Sequence, residues 1–314
     1  MKSQPFFYHR RLMKYSGIGG QAVMEGVMMR NGKDYAVAVR LTDGTIHTDR
    51  NKMKHDGEKV NKIPIIRGIY SFVNSLVVGL GSLMNSASYF EDEEEKKPLT
   101  KEEQKKADRK EKVEMGGTLA LSFVLAFVLF MVLPFYASKL FGYVISSEMI
   151  LAVLEGIIRV IIFLLYILLI GKTEDIHRVF MYHGAEHKCI NCIEQGLELN
   201  VENVRASSRF HKRCGTSFIF IVLIISIVVF MFIQSDSRLI QLVYRIVFIP
   251  FIAGVSYEFI RLAGRSENAV VNLLSKPGLM LQKLTTAEPE DDMIEVGIAS
   301  VEAVFDWKEF IKGV

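Results

Sequence analysis

Within Met181 to Cys192, MYHGAEHKCINC, two histidines stand four residues apart, a glutamate directly precedes the second, and two cysteines stand three apart. On a helix, H-x-x-E-H sets two imidazoles one turn apart with a carboxylate beside them, the ligands and base of a zinc hydrolase. Catalytic zinc takes three protein ligands and keeps one position open, so a third ligand must come from elsewhere. His211 and Cys214, in FHKRCGTSF, are the nearest candidates, with Glu194, Glu25 and Glu258 behind them. The same region offers a second set, C-x2-C-x18-H-x2-C, in which Cys189, Cys192, His211 and Cys214 would close a four-ligand structural zinc clip. The plain alternative is no metal, with the imidazoles bonded to carbonyls or lipid headgroups.

The element that positions these residues is a helix. Thr173 is a candidate N-cap, Glu174 and Asp175 suit the first turn, and Gly196 suits the stop. At about 100° per residue, with His183 at zero, Glu194 falls near 20°, His187 near 40° and Glu186 near 300°. Cys189 falls near 240° and Cys192 near 180°, on the opposite side. One ion cannot take both the histidines and the cysteine pair from a continuous helix, although both cysteines can still meet a returning loop.

Around this helix the chain reads as membrane. Runs near the 20 or so apolar residues of a spanning helix cover Thr118 to Leu140, Met149 to Ile170, Ser217 to Ile233 and Leu239 to Ile260. Lys101, Lys105, Lys106, Arg109, Lys110 and Lys112 precede the first run and only Lys139 follows it. Lys172, Arg178, Lys188, Arg205, Arg209, Lys212 and Arg213 fill the loop from 171 to 216, and only Arg238 lies in the next. This alternation predicts that both termini and the 171 to 216 loop are cytoplasmic. A fifth run, Ile63 to Phe90, holds Ser71, Asn74, Ser75, Gly79, Gly81, Ser82 and Asn85. A crossing there would put the basic stretch before the first span outside, so it reads as an interfacial or re-entrant helix. Glu155 and Arg159, four apart in the second span, suit an intrahelical pair facing protein or a polar cavity. Arg245 and Glu258 pose the same question in the fourth span, beside Pro250.

The expected fold is therefore mainly α and polytopic, in five segments. A cytoplasmic β-rich part covers 1–62, the interfacial helix 63–90, and a charged linker 91–117. A four-helix membrane domain covers 118–260, and cytoplasmic helices cover 261–314. From Gly19 to Met53, Asn31-Gly32 and Asp43-Gly44 punctuate short apolar stretches, the pattern of a small antiparallel sheet. Pro277-Gly278 is expected to break the helical pattern that follows the last span. A net charge of +3 without a basic aromatic patch argues against nucleic acid. Three cysteines argue against a disulfide framework and for thiols in a reducing compartment. The N-terminus lacks the apolar core and cleavage site of a secretory signal. His9, His47, His55 and His177 have no comparable company.

GGQAVMEGVMMR at Gly19, YHGAEHK at Tyr182, HKRCGTSF at His211 and PGLMLQKLTTAEP at Pro277 together resemble the YqhQ family of bacterial membrane proteins. The resemblance covers nearly the whole chain. It implies a location in the bacterial inner membrane and metal-dependent chemistry, and it emphasises Gln21, Glu25, Arg30, His183, Glu186, His187, His211, Arg213 and Cys214. Cys189 and Cys192 lie outside its blocks, which favours a site built from His183, His187 and the HKRC segment with Glu186 and Glu25 alongside.

These readings converge on a divalent ion, zinc by its ligands, held at the membrane surface by His183 and His187 with His211 or Cys214. Glu186 would serve as general base in hydrolysis of an amide or ester of a membrane-proximal peptide or lipid. Arg30, Arg213, Glu25 and Glu258 form a further polar group. The rival reading is a scaffold or assembly factor that docks to translocation or translation machinery. A transporter would need a homo-oligomer with a polar path past Glu155 and Arg159.

Overall fold

A computed structural model describes residues 14–53, 60–90, 101–233, 235, 237–264, 266 and 268–313. His9, His55 and the first part of the charged linker lie outside them. The described chain is mainly helical. Four strands come first, β1 (Gly19–Val23), β2 (Gly26–Asn31), β3 (Asp34–Arg40) and β4 (Ile46–Lys52), an antiparallel meander in sequence order. Gly32 and Gly44 take positive φ at the second and third turns. The first turn is one that the turn dipeptides did not mark. Met24 and Glu25 reverse the chain inside an apolar stretch, with Glu25 at φ 48°, a left-handed conformation for a residue with a Cβ.

The helices are α1 (Ile66–Ser88), α2 (Lys101–Phe127), α3 (Leu133–Lys139), α4 (Glu148–Ile170), α5 (Glu174–Glu194) and α6 (Val201–Ala206), then α7 (Gly215–Met231), α8 (Arg238–Ala263), α9 (Ala269–Thr285), α10 (Asp291–Val304) and α11 (Trp307–Ile311). A π-helical stretch, Val128–Val132, joins α2 to α3. Four helical stretches are long and apolar enough to cross a membrane: Ile66–Ser88, Val113–Tyr143, Glu148–Ile170 and Arg238–Ala263. The expected span over Ser217 to Ile233 is α7, a shorter apolar helix of 17 residues. The segment read as interfacial or re-entrant, 63–90, holds the unbroken 23-residue helix α1.

The chain forms two compact units. The first holds the described residues up to Phe90 together with Leu169–Phe220 and the chain from Ala253 onward; the second holds Glu91–Leu168 and Ile221–Ile252. In the first unit the sheet is covered on both faces: successive side chains point to opposite faces, and consecutive residues of β2 and β3 are all buried. Val27, Met29 and Ala38 face a core shared with Tyr182 and Ile190 of α5 and Met293 and Ile294 of α10. Val23, Met28, Val37 and Val39 pack with Val78 of α1 and with Tyr89. Full burial of each such side chain contributes about 1.5–3 kcal/mol.

One expectation for the C-terminal part changes. The helix runs through Pro277 rather than breaking there, because its packing outweighs one lost backbone bond. Gly278 lies against Ser217, where a Cβ would come within 2.9 Å of the serine Cβ, and Gln282 Nε2 donates to Ser217 Oγ at 2.8 Å. The helix after it, α10, packs on the sheet: Ser300 Oγ donates to Ala36 O at 3.2 Å, and Arg40 Nη2 donates to Asp292 O at 2.7 Å.

Candidate metal centre

Helix α5 starts and stops where its sequence signals lie, although the Thr173 hydroxyl donates back to Ile170 O at 2.7 Å rather than capping. Gly196, at φ 72°, turns the chain after it. The cysteines take the core face: both are fully buried, with Cys192 Sγ 3.4 Å from Glu198 O. Burial raises the Cys189 thiol well above its ordinary value and pushes Cys192 up to about 11. The other face carries His183, Glu186 and His187.

Cys214, immediately before α7, meets that face. Its Sγ lies 3.2 Å from His183 Nε2, and the ligand atoms of His183, His187 and Cys214 all fall within 4.8 Å of one another. No other group of this kind occurs among the described residues. The two imidazoles are oriented alike. His183 Nδ1 bonds Thr285 O at 2.8 Å, and His187 Nδ1 bonds Arg209 O at 2.6 Å. A carbonyl oxygen only accepts, so each Nδ1 carries the hydrogen and each neutral ring keeps its lone pair on Nε2. That is the outer-shell arrangement of metal-binding histidine. His187 Nε2 and Glu186 Oε2 are both buried without a hydrogen-bond partner, as a lone pair waiting for a cation and an adjacent base would be.

The charges agree. Burial opposes a charged His183, but the Cys214 thiolate and the Glu186 carboxylate outweigh it and raise its pKa to about 9. Burial likewise opposes a Cys214 thiolate, yet His183 and His187 draw its pKa well below the ordinary thiol value. Burial raises the Glu186 pKa against the pull of both histidines. A tetrahedral zinc ion about 2.0–2.3 Å from each donor would set the donors roughly 3.3–3.8 Å apart, so the observed spacing fits with small movements. The set is two imidazoles and a thiolate, zinc ligands, and three ligands leave a fourth position open.

The stretches that carried the resemblance meet at this site. Gly20 presents its amide to Glu186, 183–187 and 211–214 supply the cluster, and Thr285 orients His183. The family described as a protein of unknown function, DUF1385, matches residues 63–307. A Bacillus subtilis (strain 168) protein named "Uncharacterized protein YqhQ" is 37% identical over 286 residues, covering 90% of each chain. This chain belongs to the YqhQ family. No solved structure matches it.

The remaining candidates in this YqhQ-family chain lie outside the cluster. His211, the alternative third ligand, turns its Nε2 toward Glu194 Oε2 at 3.5 Å, and burial lowers its pKa. Glu194 also accepts from Ser16 N at 2.9 Å, Ser16 Oγ at 2.6 Å and Arg213 Nη2 at 2.6 Å. Glu25 is held by Arg178 Nε at 2.6 Å and by a second Arg178 bond. Glu258 accepts from Ile65 N at 3.2 Å and Arg67 Nε at 2.7 Å. Arg30 Nε donates to Gly32 O at 3.0 Å. Gln21 reaches Gly79 O at 3.4 Å rather than the site. The four-ligand clip does not form, since Cys214 meets the histidines while Cys189 and Cys192 stay in the core.

Sequence reasoning missed the glycines that let the backbone close on the site. A Cβ on Gly184 would come within 2.0 Å of Ala287 O, in the strap that brings Thr285 to His183. Gly184→Ala is therefore expected to destabilise the protein by about 1–3 kcal/mol and to weaken zinc binding by about 10–100-fold, as loss of an outer-shell partner does. A thermal melt and a zinc titration read both effects.

Proposed function

We propose that this protein is a multi-pass membrane hydrolase whose zinc centre works at the cytoplasmic surface of a bacterial inner membrane, on an amide or ester of a lipid or a membrane-proximal peptide. The observation that carries this reading is the convergence of two Nδ1-anchored imidazoles and a thiolate beside a carboxylate oxygen that has no partner. Bound by His183, His187 and Cys214, zinc would supply Lewis-acid polarisation of a carbonyl and of water. Glu186, whose proton burial holds more tightly than usual, takes a proton from water and returns it to the leaving group.

Chain connectivity supports the membrane-surface location. Cys214 immediately precedes α7, and only three residues separate α5 from the end of α4. The sheet, α5 and α10 share one core, which supports placing them together on one side of the bilayer. Each excursion from that core holds two apolar stretches, one out and one back: Val113–Tyr143 with α4, then α7 with α8. On this reading α1 stays in the interface. Asn74 Nδ2 reaches Met53 Sδ at 3.2 Å, Ser86 Oγ accepts from Met24 N at 3.1 Å, and Tyr89, just past the helix, donates to Asp49 Oδ2 at 2.6 Å. Val73, Leu76, Val77 and Leu83 are left exposed, a face suited to the acyl boundary. The lysine and arginine bias of the 171–216 loop assigns the cytoplasmic side.

Full-length protein in vesicles of phosphatidylethanolamine and phosphatidylglycerol, either stripped by chelator or reloaded with zinc, tests the activity. Mass spectrometry of released fatty acids and new amino termini should find product with the reloaded protein alone. No product with zinc, or equal product without it, would contradict the reading.

A further inference from the structure

Helix α9 turns its polar side inward. At about 100° per residue, with Leu273 at zero, Thr285, Gly278 and Gln282 fall at about 120°, 140° and 180°, while Val270 falls at about 60° and Met280 at about 340°. The first three are buried, and Val270, Leu273 and Met280 are 63%, 60% and 63% exposed. A helix between a protein core and water shows the reverse, with apolar residues inward and polar ones outward. Lys276 and Lys283, both exposed, line one edge of the apolar face at about 300° and 280°, and the helix holds no acidic residue.

The inner face locates the helix. Lys212 Nζ donates to Asn272 Oδ1 at 3.1 Å, and the Ser217 side chain occupies the space that a Cβ on Gly278 would need. Gln282 Oε1 accepts from the His211 amide at 2.9 Å while its Nε2 donates to Ser217 Oγ at 2.8 Å, and Thr285 Oγ1 donates to Thr216 Oγ1 at 3.4 Å. Asn272 to Thr285 covers about 20 Å of helix, yet each of these partners lies within 211–217. The helix therefore crosses the start of α7 rather than running along it, where that apolar helix begins. Phe72 of α1 meets the next residue of α7, Phe218, with ring centroids 5.6 Å apart, so α1 and α9 flank the same turn. Residues 264–268 alone join α9 to α8, one of the stretches able to cross a membrane.

We propose that the outward face of α9 seats in an anionic phospholipid surface, with Val270, Leu273 and Met280 in the acyl boundary and Lys276 and Lys283 at the lipid phosphates. An apolar face edged by lysines is the pattern of a helix lying in the plane of a bilayer interface. The lysines add an attraction to anionic lipid that neutral headgroups do not supply. Two copies of the chain meeting face to face through α9 would set lysines against lysines with no carboxylate of the helix between them. The inner face carries Thr285, whose carbonyl bonds His183 Nδ1 at 2.8 Å, so one helix separates the lipid from the candidate metal ligands. The seat itself needs neither metal nor turnover.

Brominated acyl chains quench tryptophan on contact, and the single tryptophan of the chain, Trp307, is buried. Full-length wild type in vesicles of brominated phosphatidylcholine, with or without brominated phosphatidylglycerol, therefore gives the baseline. Met280→Trp should be quenched at least about twofold more than wild type in the vesicles that contain phosphatidylglycerol, and more there than in phosphatidylcholine alone. Adding Lys276→Gln and Lys283→Gln to Met280→Trp should bring the first response down to the second. Leu273→Trp, on the same face, should respond as Met280→Trp does, and it decides where Met280→Trp does not fold. Quenching no greater than wild type in the folded variants would give the face to a protein partner and overturn the proposal. Quenching that is equal in the two kinds of vesicle, or unchanged by the lysine substitutions, would overturn it as well.

Discussion

Glu186→Gln is expected to leave zinc content unchanged and to lower turnover in vesicles by about 10²–10⁴-fold, the range that a positioned general base supplies. Glutamine keeps the shape of the side chain and can still accept from the Gly20 amide, so the backbone contact that holds the residue survives. What disappears is the basic oxygen, Oε2, that has no partner in the structure. The ligand set of His183, His187 and Cys214 does not include Glu186, which is why metal and turnover should separate. Product release at the wild-type rate by the zinc-loaded variant would remove Glu186 from the role of base.

Glu194→Ala is expected to cost about 3–5 kcal/mol, because it leaves the mostly buried Arg213 without its carboxylate and the Ser16 amide without its acceptor. Burial alone would raise the Glu194 pKa, but bonds from His211 and Arg213 hold it at about 2, below the roughly 4.3 of an unfolded chain. A carboxylate whose folded pKa is depressed stabilises the fold fully above the unfolded value and loses that contribution as pH falls toward the folded one. Wild-type stability attributable to Glu194 should therefore fade between about pH 4.5 and pH 2, while the variant shows a weaker pH dependence across that window. Denaturation at pH 7 and at pH 3, wild type beside variant, measures both effects. Equal stability of the two proteins at pH 7 would contradict the account of Glu194 as the anchor of Ser16 and Arg213.

Helical phase was legible along α5, because 100° per residue needs only the sequence of the helix itself. It separated His183, Glu186 and His187 from Cys189 and Cys192, and the core claims the cysteines on the side that the phase assigns. The choice between His211 and Cys214 was not legible. It depends on how the loop between α6 and α7 returns to the helix, and that route is fixed by remote contacts such as the His211 amide donating to Gln282 Oε1 at 2.9 Å. The carbonyls of Arg209 and Thr285 that orient the imidazoles carry no side-chain signal at all.

The sheet was legible where glycine marked its turns and illegible at Met24 and Glu25. There a bidentate ion pair to Arg178, 153 residues away, accompanies the left-handed conformation. Pairing of the N-terminal strands with α10 could not be read from local pattern either, because Ser300 and Ala36 lie 264 residues apart. Arg245 was read beside Glu258 of its own helix, but Glu258 pairs with Arg67. The carboxylate partner of Arg245 is Glu155 of another helix, which also pairs with Arg159, and nothing near Arg245 in sequence points to it.

Elemental analysis of purified full-length protein loaded with zinc and then freed of loose ions, wild type beside His183→Ala and Cys189→Ala, tests the metal centre most directly. The account predicts about one zinc per chain in the wild type and in Cys189→Ala, and none in His183→Ala. A wild-type protein that retains no metal, or one whose metal depends on Cys189 and not on His183, would contradict it.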